Sequence, residues 1–106
     1  AHAGTTTADG GKGALIVSDA THLHGPLGLV LAPNGDLIVA NSDGANADPN
    51  QPSELAEFTT TGQFVGQFSV DAANGGAFNL AIRSVNGRTQ VAAVDDNTNQ
   101  LDLWTL

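Results

Sequence analysis

The chain has 106 residues, which is enough for one small domain with a modest core. Its 13 glycines, four prolines, one tryptophan and four phenylalanines favour strands joined by tight turns over helices. Three basic residues against 11 acidic ones give a net charge of −8, which opposes binding to nucleic acid or to an anionic membrane surface.

The N-terminal end combines a lead with one predicted strand. Residues 1–13 are small, polar and glycine-rich, which predicts a flexible lead. The first four letters, AHAG, have the small-x-small pattern of a signal-peptidase site, and this favours a secreted or periplasmic protein. Residues 14–17, ALIV, predict the first strand, and the turn-forming residues after them end at Pro26.

Four more strands are predicted between residues 25 and 70. Their ranges are 28–32, 37–40, 54–59 and 63–70. The dipeptide Asn34-Gly35 separates the first two strands and is a strong hairpin signal, because both residues tolerate the positive φ of a two-residue turn. These two strands are nearly continuous apolar runs, which is typical of strands covered on both faces. A polar loop, 41–53, precedes the third strand.

The same pattern returns in the C-terminal half, between residues 77 and 106. Strands are predicted at 80–82, 91–94 and 101–106. A second Asn-Gly turn lies between the first two of them, and Asp95 takes the place that Asn41 has in the first repeat. The spacing of about 46–54 residues lies in the range of solenoids and propellers. Trp104, on the last strand, is predicted to pack between blades, with sugar stacking as its alternative role.

This internal repeat predicts an all-β protein with the architecture of a β-propeller. Each repeat is a meander of four antiparallel strands, which is one blade, and the strand at 14–17 serves as the outer closing strand of the second blade, 77–106. Two blades cannot close a ring, so the chain is expected to bind copies of itself. Three copies would form a six-bladed homotrimer, with strand exchange between neighbours. The alternative is a fragment of a longer single-chain propeller.

Two stretches, GPLGLVLAPNGDLIVAN at 25–41 and AAVDDNTNQLDLWTL at 92–106, carry a family resemblance. Each has an apolar second strand ending in Asn or Asp. The first also has a Gly-Pro-x-Gly entry to its inner strand, and the second has a third strand of Leu-x-x-aromatic type. Over residues 25–106 the chain resembles the NHL-repeat propellers and, more distantly, the gluconolactonase and regucalcin-like group.

The resemblance implies a propeller of six blades whose loops at one end surround an axial channel. In the lactonase group that channel holds a divalent cation, bound by a glutamate and by Asn or Asp residues. Asn41 and Asp95 are the residues of this chain that match that pattern, and no glutamate is matched to it.

The short stretch THLHG, at residues 21–25, is a candidate metal site. His22 and His24 project to the same side if the segment is extended, and three-fold symmetry would then gather three such pairs into a site for zinc, copper or nickel. The alternative is that both histidines are hydrogen-bonded loop residues.

Oxygen-bearing side chains follow the second strand of each repeat: Asn41 and Asp43 in the first repeat, and Asp95 and Asp96 in the second. Their oxygens would suit calcium. Their alternative role is turn formation.

We therefore expect ligand or partner binding at the axial channel face, with no catalytic residue assigned. The candidate residues for this face are His22, His24, Asn41, Asp43, Asp95 and Asp96. A divalent metal, calcium or zinc, would be held by His22, His24 and Asp95, and a small molecule is a further candidate ligand. The alternative class is a metal-dependent hydrolase of lactonase type. The chain has no cysteine, which excludes a disulfide framework and thiol chemistry.

Overall fold

The computed structural model describes residues 13–42, 48–50, 52 and 54–106. The predicted lead, apart from Gly13, and most of the loop 41–53 lie outside these described residues. The strands are β1 (Pro26–Leu31), β2 (Leu37–Asn41), β3 (Glu54–Phe58), β4 (Phe64–Ser69), β5 (Ala77–Val85), β6 (Arg88–Asp95) and β7 (Gln100–Thr105). Within this part of the chain no helix is long and apolar enough to cross a membrane.

The strands form two antiparallel meanders in chain order. Strands β1 to β4 make a four-stranded sheet, here called the first sheet, and β5 to β7 make a three-stranded second sheet. The all-β prediction is confirmed, and the strands overlap the seven that the sequence predicts after residue 25. The second sheet has one strand fewer than the first.

The two Asn-Gly dipeptides form different turns. Asn86 and Gly87 both have positive φ, 51° and 76°, as the two-residue hairpin turn requires. In the Asn34-Gly35 dipeptide of the first sheet, only the glycine has positive φ, 93°, and its amide donates to the Ala32 carbonyl at 2.9 Å. Here the prediction of a two-residue turn is wrong, because Pro33 holds φ near −65° and starts a type I turn that Gly35 ends.

The two sheets are built as repeats of one another. Pro26 pairs with Asn41 in the first sheet and Ala77 pairs with Asp95 in the second, each followed by a register shift. The next amide also makes the same bond in both sheets: Ser42 donates to Gly25 at 3.1 Å, and Asp96 donates to Gly76 at 2.9 Å. Asn41 and Asp95 therefore occupy equivalent strand ends.

A core of small and branched side chains lies between the sheets. It consists of Ala32, Ile38, Ala40, Leu55, Ala77, Leu80, Val91 and Ala93. Trp104 packs against this core and meets Phe68 of the first sheet edge to face at 5.4 Å, so it lies between the repeats as the sequence predicts. The inner strands β1 and β5 approach most closely at Gly28, where an added Cβ would lie 2.8 Å from the carbonyl oxygen of Phe78.

The chain on its own does not form the strand predicted at 14–17. These residues have no ladder partner among the described residues, and Leu15 is 83% exposed. The segment passes the turn between β3 and β4, where a Cβ on Gly62 would collide with the carbonyl oxygen of Ile16. The edge of the first sheet at that position is already the fourth strand, so the segment is not added to it.

Candidate functional site

A buried polar cluster lies at the end of the first sheet where β2 stops and β3 starts. His24, Asn41 and Glu54 are all buried there, with Asn41 and Glu54 fully excluded from solvent. The Asn41 amide nitrogen donates to the His22 carbonyl at 2.8 Å and to Glu54 Oε1 at 3.3 Å. The backbone amide of His24 donates in turn to Asn41 Oδ1 at 3.0 Å. One asparagine side chain thus joins the loop before β1 to the start of β3.

The imidazole of His24 completes this cluster. Its Nε2 donates to the Thr21 carbonyl at 2.7 Å and lies 3.5 Å from Glu54 Oε1. A buried carboxylate is costly unless hydrogen-bond donors face it, and here the Asn41 amide donates to Glu54 Oε1 while the His24 ring lies beside the same oxygen. The cluster therefore acts first as a polar clamp that holds residues 19–25 on the end of the sheet.

His22 has a different environment from His24. Asp19 Oδ1 accepts from the amides of Thr21 and His22 at 2.9 and 3.1 Å, which turns the chain and prevents an extended segment. The His22 ring stacks on Phe64 with centroids 3.6 Å apart, and its Nδ1 lies 2.7 Å from Asp19 Oδ2. The segment is therefore not extended, and extension is the condition for both imidazoles to project to one side.

The pair of Asp19 and His22 also carries an electrostatic interaction. The hydrogen bond from the His22 ring is the main cause that lowers the pKa of Asp19, and the two backbone amides that donate to its carboxylate act in the same direction. Asp19 is therefore held in its charged form, which strengthens the turn.

Asp95 closes a turn at the equivalent end of the second sheet. It is almost fully buried, and its Oδ1 accepts from the amides of Asn97 and Thr98 at 3.0 and 3.3 Å. This is the turn-forming role that the sequence leaves open as the alternative to cation binding. Asp96 is exposed at the same place, and Asp43 lies outside the described residues.

The two strand ends lie at the same end of the molecule. Gly75, just before β5, approaches the Ser42 carbonyl so closely that an added Cβ would lie 2.9 Å from it. The next residue, Gly76, accepts from the amide of Asp96. Residues 75 and 76 therefore connect the end that carries Asn41 with the end that carries Asp95.

Sequence reasoning missed Glu54. Its position in the first sheet corresponds to that of Gln100, which pairs with Asp95 in the second. The first repeat thus has an amide on β2 and an acid on β3, and the second repeat has the acid on β6 and the amide on β7. An acid and an amide thus occupy the same pair of positions in both repeats, in exchanged order, and this pattern could have indicated the contact between Asn41 and Glu54.

Among the described residues no group of three or more His, Cys, Asp or Glu side chains could hold a metal ion.

The second functional feature is a pair of apolar faces on the outer sides of the sheets. The open face of the first sheet, defined by Leu27, Leu29, Leu31 and Val39, has its three leucines each 60% exposed. The open face of the second sheet is defined by Ala81, Ala92, Val94, Leu101 and Leu103, and its two leucines are 79% and 57% exposed. The expectation that the first two strands are covered on both faces is not met for β1 among the described residues, whereas β2 has no exposed residue on either face.

Comparison of the chain with protein-family models and with curated proteins gives no match.

Proposed function

We propose that the chain is a self-assembling β-propeller module of the NHL-repeat type. Each sheet would be one blade, and three copies would form a ring of six blades. The end of the ring that carries Asn41 and Asp95 would bind a ligand or a partner around the axis. The observation that carries this proposal is the relation between the packed faces and the open faces of the two sheets.

Each sheet packs through the face that its counterpart leaves open. Val30 and Ile38 are cross-strand partners on the packed face of the first sheet, and their equivalents, Ala81 and Ala92, lie on the open face of the second. In the same way, the open pair of Leu29 and Val39 corresponds to Leu80 and Ala93, which are packed.

This relation makes a second copy the natural occupant of both open faces. Within the chain, the face of the first sheet that carries Val30 and Ile38 packs on the opposite type of face of the second sheet, which carries Leu80 and Ala93. The two faces left open are again one of each type. Repeating the same packing step places the open second sheet of one copy on the open first sheet of the next. Such a head-to-tail contact closes into a ring when the rotation allows it, and exposed apolar patches of this kind mark interaction sites.

A polar row borders the open face of the second sheet, as at the rim of a protein interface. Arg83 Nε donates to Gln90 Oε1 at 2.8 Å, and Gln90 donates to the hydroxyl of Thr105 at 3.2 Å. The three residues lie side by side on β5, β6 and β7, and their hydrogen bonds hold the Arg83 guanidinium at the border of the open face of the second sheet.

Oligomer size and two complementary variants test the assembly. Native mass spectrometry of the wild type is expected to give a discrete oligomer, with the trimer as the favoured count. Leu29→Asp and Leu103→Asp each place a charge on one open face and are expected to give monomers. Their mixture is expected to give a one-to-one dimer, because each chain keeps the face that the other has lost. Thr60→Asp, in an exposed turn, adds the same charge and is expected to leave the oligomer intact.

A wild type that stays a cooperatively folding monomer at all concentrations would refute the assembly. A mixture of the two variants that remains monomeric would refute the head-to-tail contact.

The binding role has its own test, with Ca²⁺ and Zn²⁺ as the probes. In amide spectra of the oligomer we expect either ion, if it binds, to shift residues at the end that carries Asp96 and to leave the opposite turn at Gly87 unchanged. The Asp96→Asn variant removes one exposed carboxylate and is expected to reduce the shift. Shifts confined to the Gly87 end would contradict the placement of the binding surface.

A further inference from the structure

We infer that residues 14–17 of one copy add as a fourth strand to the free edge of β7 in a neighbouring copy. This inference rests on the proposed assembly, and it names the segment that the neighbouring copy contributes. Three observations carry it: the free edge of β7, the position of residues 14–17, and the length of the connection that follows them.

The edge of β7 has unpaired backbone groups in a regular row. The Leu106 amide donates to the Thr89 carbonyl at 2.8 Å, which sets the phase of the ladder between β6 and β7. Because ladder bonds alternate along an antiparallel pair, the amides and carbonyls of Leu101, Leu103 and Thr105 point away from β6. Among the described residues β7 pairs only with β6. An edge of this kind, with no Pro or Lys on the strand, is a template for another strand.

The segment 14–17 has the composition of a strand, and it has no ladder partner in the part of its own chain that the structure describes. Its residues are apolar, Ile16 and Val17 are β-branched, and Leu15 and Ile16 are 83% and 50% exposed. The edge strand β4 already occupies the fourth position of the first sheet. As far as the structure describes the chain, the second sheet is the one that lacks a fourth strand.

The position of the segment indicates a neighbouring copy as the acceptor. Just after it, the His22 ring stacks on Phe64, and Phe64 shares a sheet face with Phe58, Leu37 and Leu31 through successive cross-strand pairs. This face is covered along β3, where Phe58 is fully buried, and it is open along β1, where Leu29 and Leu31 are each 60% exposed and the second sheet of a neighbour would dock. Residues 16 and 17 lie against the turn at Gly62, beside the outer strand β4. They are therefore at the side where the missing strand of the docked sheet would run.

The connection lengths agree with this placement. Seven residues, 70–76, connect the outer strand β4 to the inner strand β5. Eight residues, 18–25, lie between the segment and the inner strand β1. The two connections also end alike, since Gly25 and Gly76 accept equivalent bonds. Residues 14–17 therefore precede the inner strand β1 in the same way as the outer strand β4 precedes the inner strand β5. This predicts that they form an outer, antiparallel fourth strand of the neighbour's second sheet.

Hydrogen exchange read residue by residue tests the inference directly. In the wild-type oligomer the amides of Leu101, Leu103 and Thr105 are expected to exchange at least about tenfold more slowly than in a dissociated monomer. Ile16→Pro removes a backbone donor and is expected to abolish this protection, because proline cannot complete a ladder. Ile16→Thr is the matched control, since threonine keeps both the donor and the β-branch.

Cross-linking gives a second measurement that does not depend on proline. The chain has no cysteine, so single cysteines report one contact each. Isotope-labelled Leu15→Cys chains are mixed with unlabelled Asp102→Cys or Leu103→Cys chains, which cover both faces of β7. We expect a disulfide between chains of different mass for one of the two β7 positions.

The outcomes separate this inference from the proposed assembly. An oligomer whose three β7 amides exchange freely, with no mixed disulfide, would refute strand exchange and leave the assembly standing. Protection of the same amides in a dilute monomer would show that each chain uses its own segment, which also refutes the exchange. A wild type that never associates would refute the assembly itself.

Discussion

The contact between the inner strands can be tested by one substitution at two glycines. Gly28 of β1 lies against β5, where a Cβ would meet the Phe78 carbonyl oxygen at 2.8 Å and the Asn79 Cα at 3.1 Å. Both neighbours are backbone atoms, which cannot rotate away. Forcing a methyl group into such a site costs about 1–3 kcal/mol.

Gly66 of β4 is the matched control. A Cβ there would meet no heavy atom within 4 Å, and neither glycine has the positive φ that disfavours alanine. Alanine in a strand is favoured over glycine by about 0.5–1 kcal/mol, because the unfolded chain loses less entropy. We therefore expect Gly66→Ala to stabilise the protein by that amount. Gly28→Ala has the same gain from the unfolded chain, but the clash of its Cβ with the β5 backbone costs more than this gain. It is therefore expected to destabilise the protein by about 1–2 kcal/mol.

Urea or thermal unfolding of the two variants at one protein concentration measures the difference. For a domain of this size about 1 kcal/mol corresponds to a shift in Tm of roughly 4–8 °C, so the two variants are expected to move in opposite directions by a resolvable amount. If Gly28→Ala stabilises the protein as Gly66→Ala does, β1 and β5 are not in contact, and the packing of the two sheets described above is wrong.

Three further predictions concern the polar groups. Asn41→Ala is expected to reduce the free energy of unfolding by about 3 kcal/mol, because it removes the amide that donates to the buried Glu54 carboxylate; denaturant titration checks this. Asp19→Asn is expected to destabilise the protein above about pH 4, where the carboxylate is charged, and the difference from wild type should vanish as the pH falls through the lowered pKa of Asp19; a difference that persists in acid would exclude the bond to His22 as its source. Asp95→Ala is expected to cost about 1–2 kcal/mol, whereas Asp95→Asn, which keeps the Oδ1 acceptor, should remain within about 0.5 kcal/mol of wild type; equal losses would contradict the turn-forming role.

The strands could be predicted because their signals are local. Apolar runs bounded by Gly, Pro and Asn locate β1 and β2 closely, whereas β5 and β6 are longer than predicted, and the repeat of the pattern indicates two similar sheets. Trp104 could be placed between the repeats for the same reason, since an aromatic residue on a strand of a repeat packs against the neighbouring unit.

The candidate site was only partly predictable. The pattern of Asn41 and Asp95 at equivalent strand ends follows from the repeat and is found in the structure. The separation of His22 from His24 does not follow from it, because it depends on how Asp19 turns the chain and on the distant ring of Phe64. The burial of Glu54 likewise depends on which loop folds over it.

The sequence alone determined the all-β class, the number of strands after residue 25 and the internal repeat, because turn chemistry and apolar periodicity act over a few neighbouring residues. Only the tertiary structure decided which face of each sheet is packed and which is open. It also decided that, within the described part of the chain, β7 keeps a free edge and residues 14–17 lie outside any ladder. Those features depend on contacts between residues far apart in the chain, such as Gly28 with Phe78 and Asn41 with Glu54, and local patterns do not specify such contacts.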